Sequence, residues 1–321
     1  MNNKTIIVVG YDSQVQTKHQ MRSLRAAGAD VINIIPYEAD GLYGKLVWQT
    51  DRVTWQGIDI SPDKIDGVLV CGLAPSNPVQ QDFEAGNKHK LSWAEWFQAF
   101  GTQRDRSDTL LSLLLLYEKA GIPMFNPSSA SMLSRRKPYQ VSILQGLGCT
   151  MPTTLVSNDP AAAAAFIDNV GECIIKPAAG GSLTLSANKL QLSGQLNQLR
   201  YAPAIIQQRI FGVDLRVIVV DGRVCSVVSV DVLTGSIDFR GEPDYQNGES
   251  GYCEVELPTK VQQQCIKAVQ KLGLKYSGID LKHTANDQYY FLECNSSPIY
   301  LDVENRMGHP ITGHLCKAML T

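Results

Sequence analysis

The sequence predicts an α/β fold at its start, followed by units that mix strands, hairpins and helices. Three observations carry this. The apolar run T-I-I-V-V-G at 5–10, a helical stretch over 14–27 stopped by Gly28, and a second strand at 30–35 make a βαβ opening, the signature of an open parallel sheet. Asp221-Gly222 sits between two alternating apolar runs, a strong hairpin signal. At 321 residues the chain exceeds one compact core, so two or three subdomains are expected.

Bulk properties narrow the function classes. The chain is 44% hydrophobic and 19% charged, an ordinary globular composition that disfavours disorder. Its net charge of −2 gives no reason to invoke nucleic acid or an anionic membrane as a bulk partner. The eight cysteines show neither C-x-x-C nor zinc spacing with histidine, and read as small buried thiols in a reducing, cytoplasmic compartment. The start Met-Asn-Asn-Lys leads into a short strand and not a signal sequence, and the densest apolar run, 110–117, is far short of a membrane span.

Taken in order, the first unit continues with a buried strand at 65–71 (I-D-G-V-L-V-C). G-x-G-x-x-G is absent, so no dinucleotide fingerprint is present. The loop at 72–78 follows the carboxyl end of that strand, an edge where open sheets meet ligands. Residues 80–106 carry Trp93, Trp96, Phe97 and Phe100 at helical spacing, which predicts an amphipathic helix packed on the core. A second helix is expected over 108–120 and a short strand over 122–125.

A second unit opens with helix over 130–136, a break at Pro138, and helix to Gly148. A strand at 153–157, a helix at 161–168 started by Asp159-Pro160, and a strand at 172–177 (E-C-I-I-K-P) follow. The third unit is expected to start near Ala204, with strands at 204–210, 214–220 and 223–230, then a polar Gly-rich segment over 235–251. A helix over 258–272, a hairpin turning near Asn286 and a helix over 313–320 close the chain.

The candidate chemistry lies in these later units. In the hairpin, Asp280 and Glu293 fall roughly opposite each other, and Asn295 shares the face of Glu293. Three oxygen-bearing side chains with no His or Cys make a hard-cation site, for which Mg²⁺ on nucleotide phosphates is the usual occupant. A solvated acidic sheet face is the plainer alternative. The metal reading is preferred because these acids sit within apolar runs, where an uncompensated carboxylate is costly.

Lys176 lies mid-strand beside Gly180-Gly181-Ser182, a loop able to cradle phosphate oxygens, although Walker A spacing is absent. It reads equally as a lysine snorkelling from an edge strand. Gln207, Gln208 and Ile210 end a strand entering a turn, and Asp214 and Arg216 follow. These residues suit an adenine edge, a ribose hydroxyl and phosphates, or else Asp214 and Arg216 form a structural ion pair.

The order is more telling than any single piece. R-K-P-Y-Q, I-I-K-P-A-A-G-G, I-I-Q-Q-R-I-F-G-V-D-L-R and G-I-D-L…F-L-E-C-N-S-S-P succeed one another from Asn126 to the end. This succession resembles the ATP-grasp superfamily, and most closely its ribosomal-protein glutamate ligase (RimK-like) branch. The resemblance implies an α/β and α+β architecture: an N-terminal open parallel α/β domain over 1–125, a small lobe over 126–203 and a large lobe with the Mg-ATP site over 204–321.

It further implies that Lys137 and Lys176 contact phosphates, Gly180, Gly181 and Ser182 form the phosphate loop, and Gln207, Gln208, Ile210 and Asp214 hold adenine and ribose. Arg216 and Lys176 are then the catalytic cations, and Asp280, Glu293 and Asn295 hold Mg²⁺, with Mn²⁺ as a substitute. Gln208 replaces a glutamate common in relatives. The implied activity joins a carboxylate, through an acylphosphate, to an amine on an amino acid or peptide. Asp238-Phe239-Arg240 is similar to a D-x-R feature of microviridin-type (graspetide) peptide maturases, which implies Asp238 and Arg240 at the acceptor site and side-chain ester or amide crosslinks as the alternative product. A non-catalytic ATP-binding regulator on the same fold is a further alternative. Expected partners are therefore ATP, a carboxylate and an amine or hydroxyl acceptor, peptides included, with no nucleic acid or membrane. A homo-oligomer is left open.

Overall fold

The computed structural model describes residues 3–36, 44–73, 92–179, 183–231, 237, 243, 247 and 251–321, with Ser134 by its backbone alone. The chain separates into two compact units, Met1–Ser131 with Leu315–Thr321, and Met132–His314.

In the first unit, β1 (Thr5–Val9), α1 (Val15–Ala26) and β2 (Asp30–Ile34) form the expected βαβ opening. A small antiparallel sheet of β3 (Leu46–Trp48), β4 (Val53–Trp55) and β5 (Ile58–Asp59) follows, which the sequence reading did not anticipate. Strands this short carry too few residues for a period-2 pattern to register. Next come β6 (Gly67–Val70), α2 (Trp93–Lys119) and β7 (Met124–Phe125). The main sheet is parallel throughout, in the order β2-β1-β6-β7. Its centre is apolar on both faces, as β1 and β6 show: Ile6, Ile7, Val8, Val9, Val68, Leu69 and Val70 are all buried.

The two helices expected over 80–106 and 108–120 are corrected. Among the described residues they are one helix, α2, opened by a capping box between Ser92 and Glu95. Its buried residues are Leu110, Leu113, Leu114 and Tyr117, all in the C-terminal half. The aromatic face expected on the core is exposed instead: Trp93 by 75%, Phe97 by 60% and Phe100 by 47%. These rings satisfy one another. Trp93 stacks on Trp96 at 5.2 Å between centroids, and Trp96 on Phe100 at 5.4 Å. Helical spacing puts side chains on one face but does not decide what that face meets.

In the second unit, α3 (Lys137–Gly146) carries Pro138 in its first turn, where a missing N–H costs nothing. The expected break therefore falls before Lys137, after a short 3₁₀ turn at Leu133–Arg135. A four-stranded sheet is built from β8 (Thr154–Ser157), β9 (Cys173–Pro177), β10 (Leu185–Ser186) and β11 (Ala204–Gln208), in the order β10-β9-β11-β8. Two helices, α4 (Pro160–Val170) and α5 (Ala187–Leu192), accompany it. Ala163, Ile167, Ala187, Ile175 and Ile206 share its core. The strand beginning at Ala204 thus pairs with β8 and β9, and the change of sheet falls after Gln208.

The second sheet of this unit has five strands, in the order β14-β13-β12-β15-β16. They are β12 (Val213–Val220), β13 (Arg223–Val230), β14 (Tyr252–Glu254), β15 (Tyr276–His283) and β16 (Tyr289–Asn295), with α6 (Thr259–Lys271) between β14 and β15. Asp221 at φ 45 and Gly222 at φ 76 make the β12–β13 turn with both central residues left-handed, as a two-residue hairpin requires. Gly212, just ahead of β12, is obligatory: a Cβ there would lie 2.3 Å from the His283 carbonyl oxygen. The chain ends in α7 (Leu301–Met307) and α8 (Ile311–Leu320). Among the described residues no helix is long and apolar enough to cross a membrane.

Candidate active site

Strands β12, β15 and β16 form the floor of a cavity of about 320 Å³ in the second unit, and β9 and β11 contribute a wall. Register decides what meets there. Asp214 and Arg216 lie two apart on β12 and so share a face. Their cross-strand partners on β15 are Lys282 and Asp280. On the next strand, Glu293 lies opposite Asp280, and Asn295 is two residues further on.

The result is a row of alternating charges. Asp214 pairs with Lys282 at 2.8 Å and Arg216 with Asp280 at 2.9 Å. Asn295 donates its amide to Asp280 at 3.1 Å. Lys137, from the first turn of α3, is salt-bridged to Glu293. The charged groups of these pairs are between 13% and 23% exposed, so each carboxylate needs its cation. The Asp214–Arg216 ion pair weighed in the sequence does not form, because both side chains pair across the sheet and not along the strand.

A bulge separates Asp280 from Leu281 in the β15–β16 ladder, and Leu292 is the extra residue on β16. It explains why Leu292 and Glu293, neighbours in sequence, both line the cavity.

Lys137, Lys176, Gln207, Gln208, Ile210, Asp214, Arg216, Asp280, Glu293 and Asn295 all line this one cavity. Gly180, Gly181, Ser182, Asp238 and Arg240 lie outside the described residues. Sequence reasoning missed Lys282, the cation that holds Asp214, together with Leu292, Ser297 and Ile299 on the same walls. The register of β12 against β15 was the signal for Lys282, because a lysine flanked by Leu281 and His283 on a strand invites the question of its partner.

Two features test the fit of a magnesium nucleotide. The candidate metal ligands are hard oxygen donors, two carboxylates and an amide, on adjacent strands. Among the described residues no cluster of three or more His, Cys, Asp or Glu side chains forms a metal site. The second feature is Gln207. It is 1% exposed and donates to Thr154 Oγ1 at 2.8 Å, while its Oε1 is buried with no partner among the described residues. A buried acceptor on a cavity wall is costly unless a ligand donates to it, and an exocyclic amine on a base is such a donor. Both features fit.

A parallel α/β domain, followed in the chain by two mixed sheets with a cavity between them, is the ATP-grasp arrangement. The RimK-like ATP-grasp domain matches residues 129–319, and the chain belongs to that family. A probable alpha-L-glutamate ligase of Shewanella halifaxensis is 27% identical over 207 residues, 61% of this chain. The chain spans only 44% of the length of that relative. The solved structure of the ATP-grasp ligase PsnB with a minimal precursor is 28% identical, with a TM-score of 0.80 over 99% of both chains. The macrocyclase MdnC of Microcystis aeruginosa, solved with its precursor peptide MdnA, shares the fold at a TM-score of 0.72 and 17% identity, over 98% of this chain and 99% of that one.

Proposed function

We propose that this chain is an ATP- and Mg²⁺-dependent ligase that activates a side-chain carboxylate of a ribosomally made peptide and joins it to a hydroxyl or amine. The observation that carries the ligase reading is the gathering of Lys137, Lys176, Arg216, Asp280, Glu293 and Asn295 on one cavity. A peptide substrate is favoured over a free amino acid because the likeness to PsnB, a ligase solved with a precursor, runs over the whole chain. The glutamate ligases are matched only over part of their length. PsnB has also been solved with Mg and ADP, which supports the same cofactors here.

Asp280, Glu293 and Asn295 would hold Mg²⁺, which neutralises phosphate charge when bound. Arg216 and Lys176 would stabilise charge on the transferred phosphoryl group while the carboxylate attacks it. Lys137 would contact the phosphates. Gln207, Gln208 and Ile210 would read the base, and Asp214, held by Lys282, the ribose. Closure over the site protects the acylphosphate from water, a task for the Gly180–Gly181–Ser182 loop. Asp238 and Arg240 are assigned to the acceptor side, so Arg240→Ala should impair peptide use more than ATP binding. The division at 126 and 204 into an N-terminal domain and two ATP-holding lobes belongs to the same proposal.

Intact-mass analysis tests it, using Mg²⁺-ATP with peptides encoded beside this gene and with a panel of free amino acids. Loss of one water per crosslink, matched by ADP release, is the expected result. Gain of an amino-acid residue would favour the RimK-like amide-forming reading instead. Nucleotide binding with no turnover on any substrate would favour a regulatory protein. No nucleotide binding would overturn the assignment.

A further inference from the structure

We infer that Gln140 is a positioning residue for the metal ligands. It makes no contact with the cavity itself. The inference rests on the reading of Asp280, Glu293 and Asn295 as the Mg²⁺ site.

Among the described residues β16 is the edge strand of its sheet, so the outward N–H and C=O groups along it have no described strand to pair with. Cys294, fully buried, is the residue between Glu293 and Asn295. Both of its backbone groups are taken by one side chain. Gln140 Oε1 accepts from the Cys294 N–H at 2.8 Å, and Gln140 Nε2 donates to the Cys294 carbonyl at 3.0 Å. The same Nε2 donates to the Leu133 carbonyl at 2.7 Å. Gln140 is 2% exposed, and this network leaves one orientation for its amide.

The carboxamide therefore stands in for the peptide group of a missing neighbouring strand, at one residue only. That residue lies two positions after Leu292, the bulged residue. A bulge loosens the ladder and bends the strand, and here the strand carries two candidate ligands, Glu293 and Asn295, one on each side of the clasp. The Phe291 N–H donates to the Thr150 carbonyl at 2.9 Å and ties the outer edge before the bulge. Gln140 ties it after. It also couples Glu293 and Asn295 to α3, the helix that supplies Lys137. Outer groups that orient metal ligands change metal affinity even though they never touch the ion.

The test is Mn²⁺ binding in the presence of ADP, followed by electron paramagnetic resonance, on wild type, Gln140→Met and Gln140→Asn. Methionine keeps the volume and loses all three hydrogen bonds; asparagine keeps the amide but is one methylene short of Cys294. Both variants should bind Mn²⁺ about tenfold more weakly, while ADP binding in EDTA stays at the wild-type level. Should Gln140→Met fail to fold, Gln140→Asn decides. Mn²⁺ affinity unchanged in the folded variants, with only a lower melting temperature, would reduce Gln140 to a core residue and overturn the inference. Absence of Mn²⁺ binding in wild type would instead overturn the metal-site reading, and the role of Gln140 with it.

Discussion

The Arg216 guanidinium lies 2.9 Å from the Asp280 carboxylate, at the register position that joins β12 to β15. A candidate catalytic cation and a candidate metal ligand are thus held by each other. Arg216→Ala removes the charge proposed to face the phosphates and leaves Asp280 without its cation. Turnover should fall by about 100-fold or more, with a smaller change in the KM for ATP. Steady-state ADP release measures both.

Asp280→Asn and Glu293→Gln keep shape and remove charge. Each should reduce metal-dependent turnover by at least about 100-fold while the melting transition stays cooperative. Undiminished activity in both would refute the metal site. Glu293→Gln also breaks the pair with Lys137, so its melting temperature should shift more than that of a surface substitution.

Lys282 is 15% exposed and its partner Asp214 13%. Lys282→Ala removes the cation 2.8 Å from this largely buried carboxylate and should cost about 2 kcal/mol of unfolding free energy. Adding Asp214→Asn removes the carboxylate charge as well, so the double variant should recover part of that loss. Urea denaturation of the four proteins in the cycle gives the coupling.

Gln207→Leu removes the buried Oε1 that has no partner among the described residues. If a base amine is its donor, the KM for ATP should rise about tenfold, and discrimination against a nucleotide with a 6-keto base should narrow. Initial rates with the two nucleotides check this.

Three buried thiols set an alkaline limit. Burial pushes Cys149 up to about 11 and Cys265 to about 12, and Cys294 well above its ordinary 9.0. The folded state holds these protons more tightly than the unfolded state. Their contribution is therefore complete below pH 9 and is lost as pH rises from 9 towards 12. Melting temperature should decline over that window. At pH 8, iodoacetamide should label the exposed Cys253 before any of the three.

Most strands and several helices, and a list of candidate site residues, were legible in the sequence. Continuous apolar runs made β1 and β6 legible as buried parallel strands, because a strand covered on both faces has no polar positions to interrupt it. The period of two placed Glu293 and Asn295 on one face, and a hairpin near Asn286 put Asp280 roughly opposite Glu293; the register beside the turn leads to Leu292 there, and only the bulge brings Glu293 into that position. What only the tertiary structure decided was who faces whom between elements distant in the chain. The partner of Asp214 is 68 residues away and that of Gln140 is 154. The aromatic face of α2 stayed outside the core because helical spacing carries no information about what lies opposite. Side-chain type and periodicity are local properties, whereas ion pairing, burial and the cover of an edge strand are fixed by long-range register and by the cost of leaving a buried charge or backbone group alone.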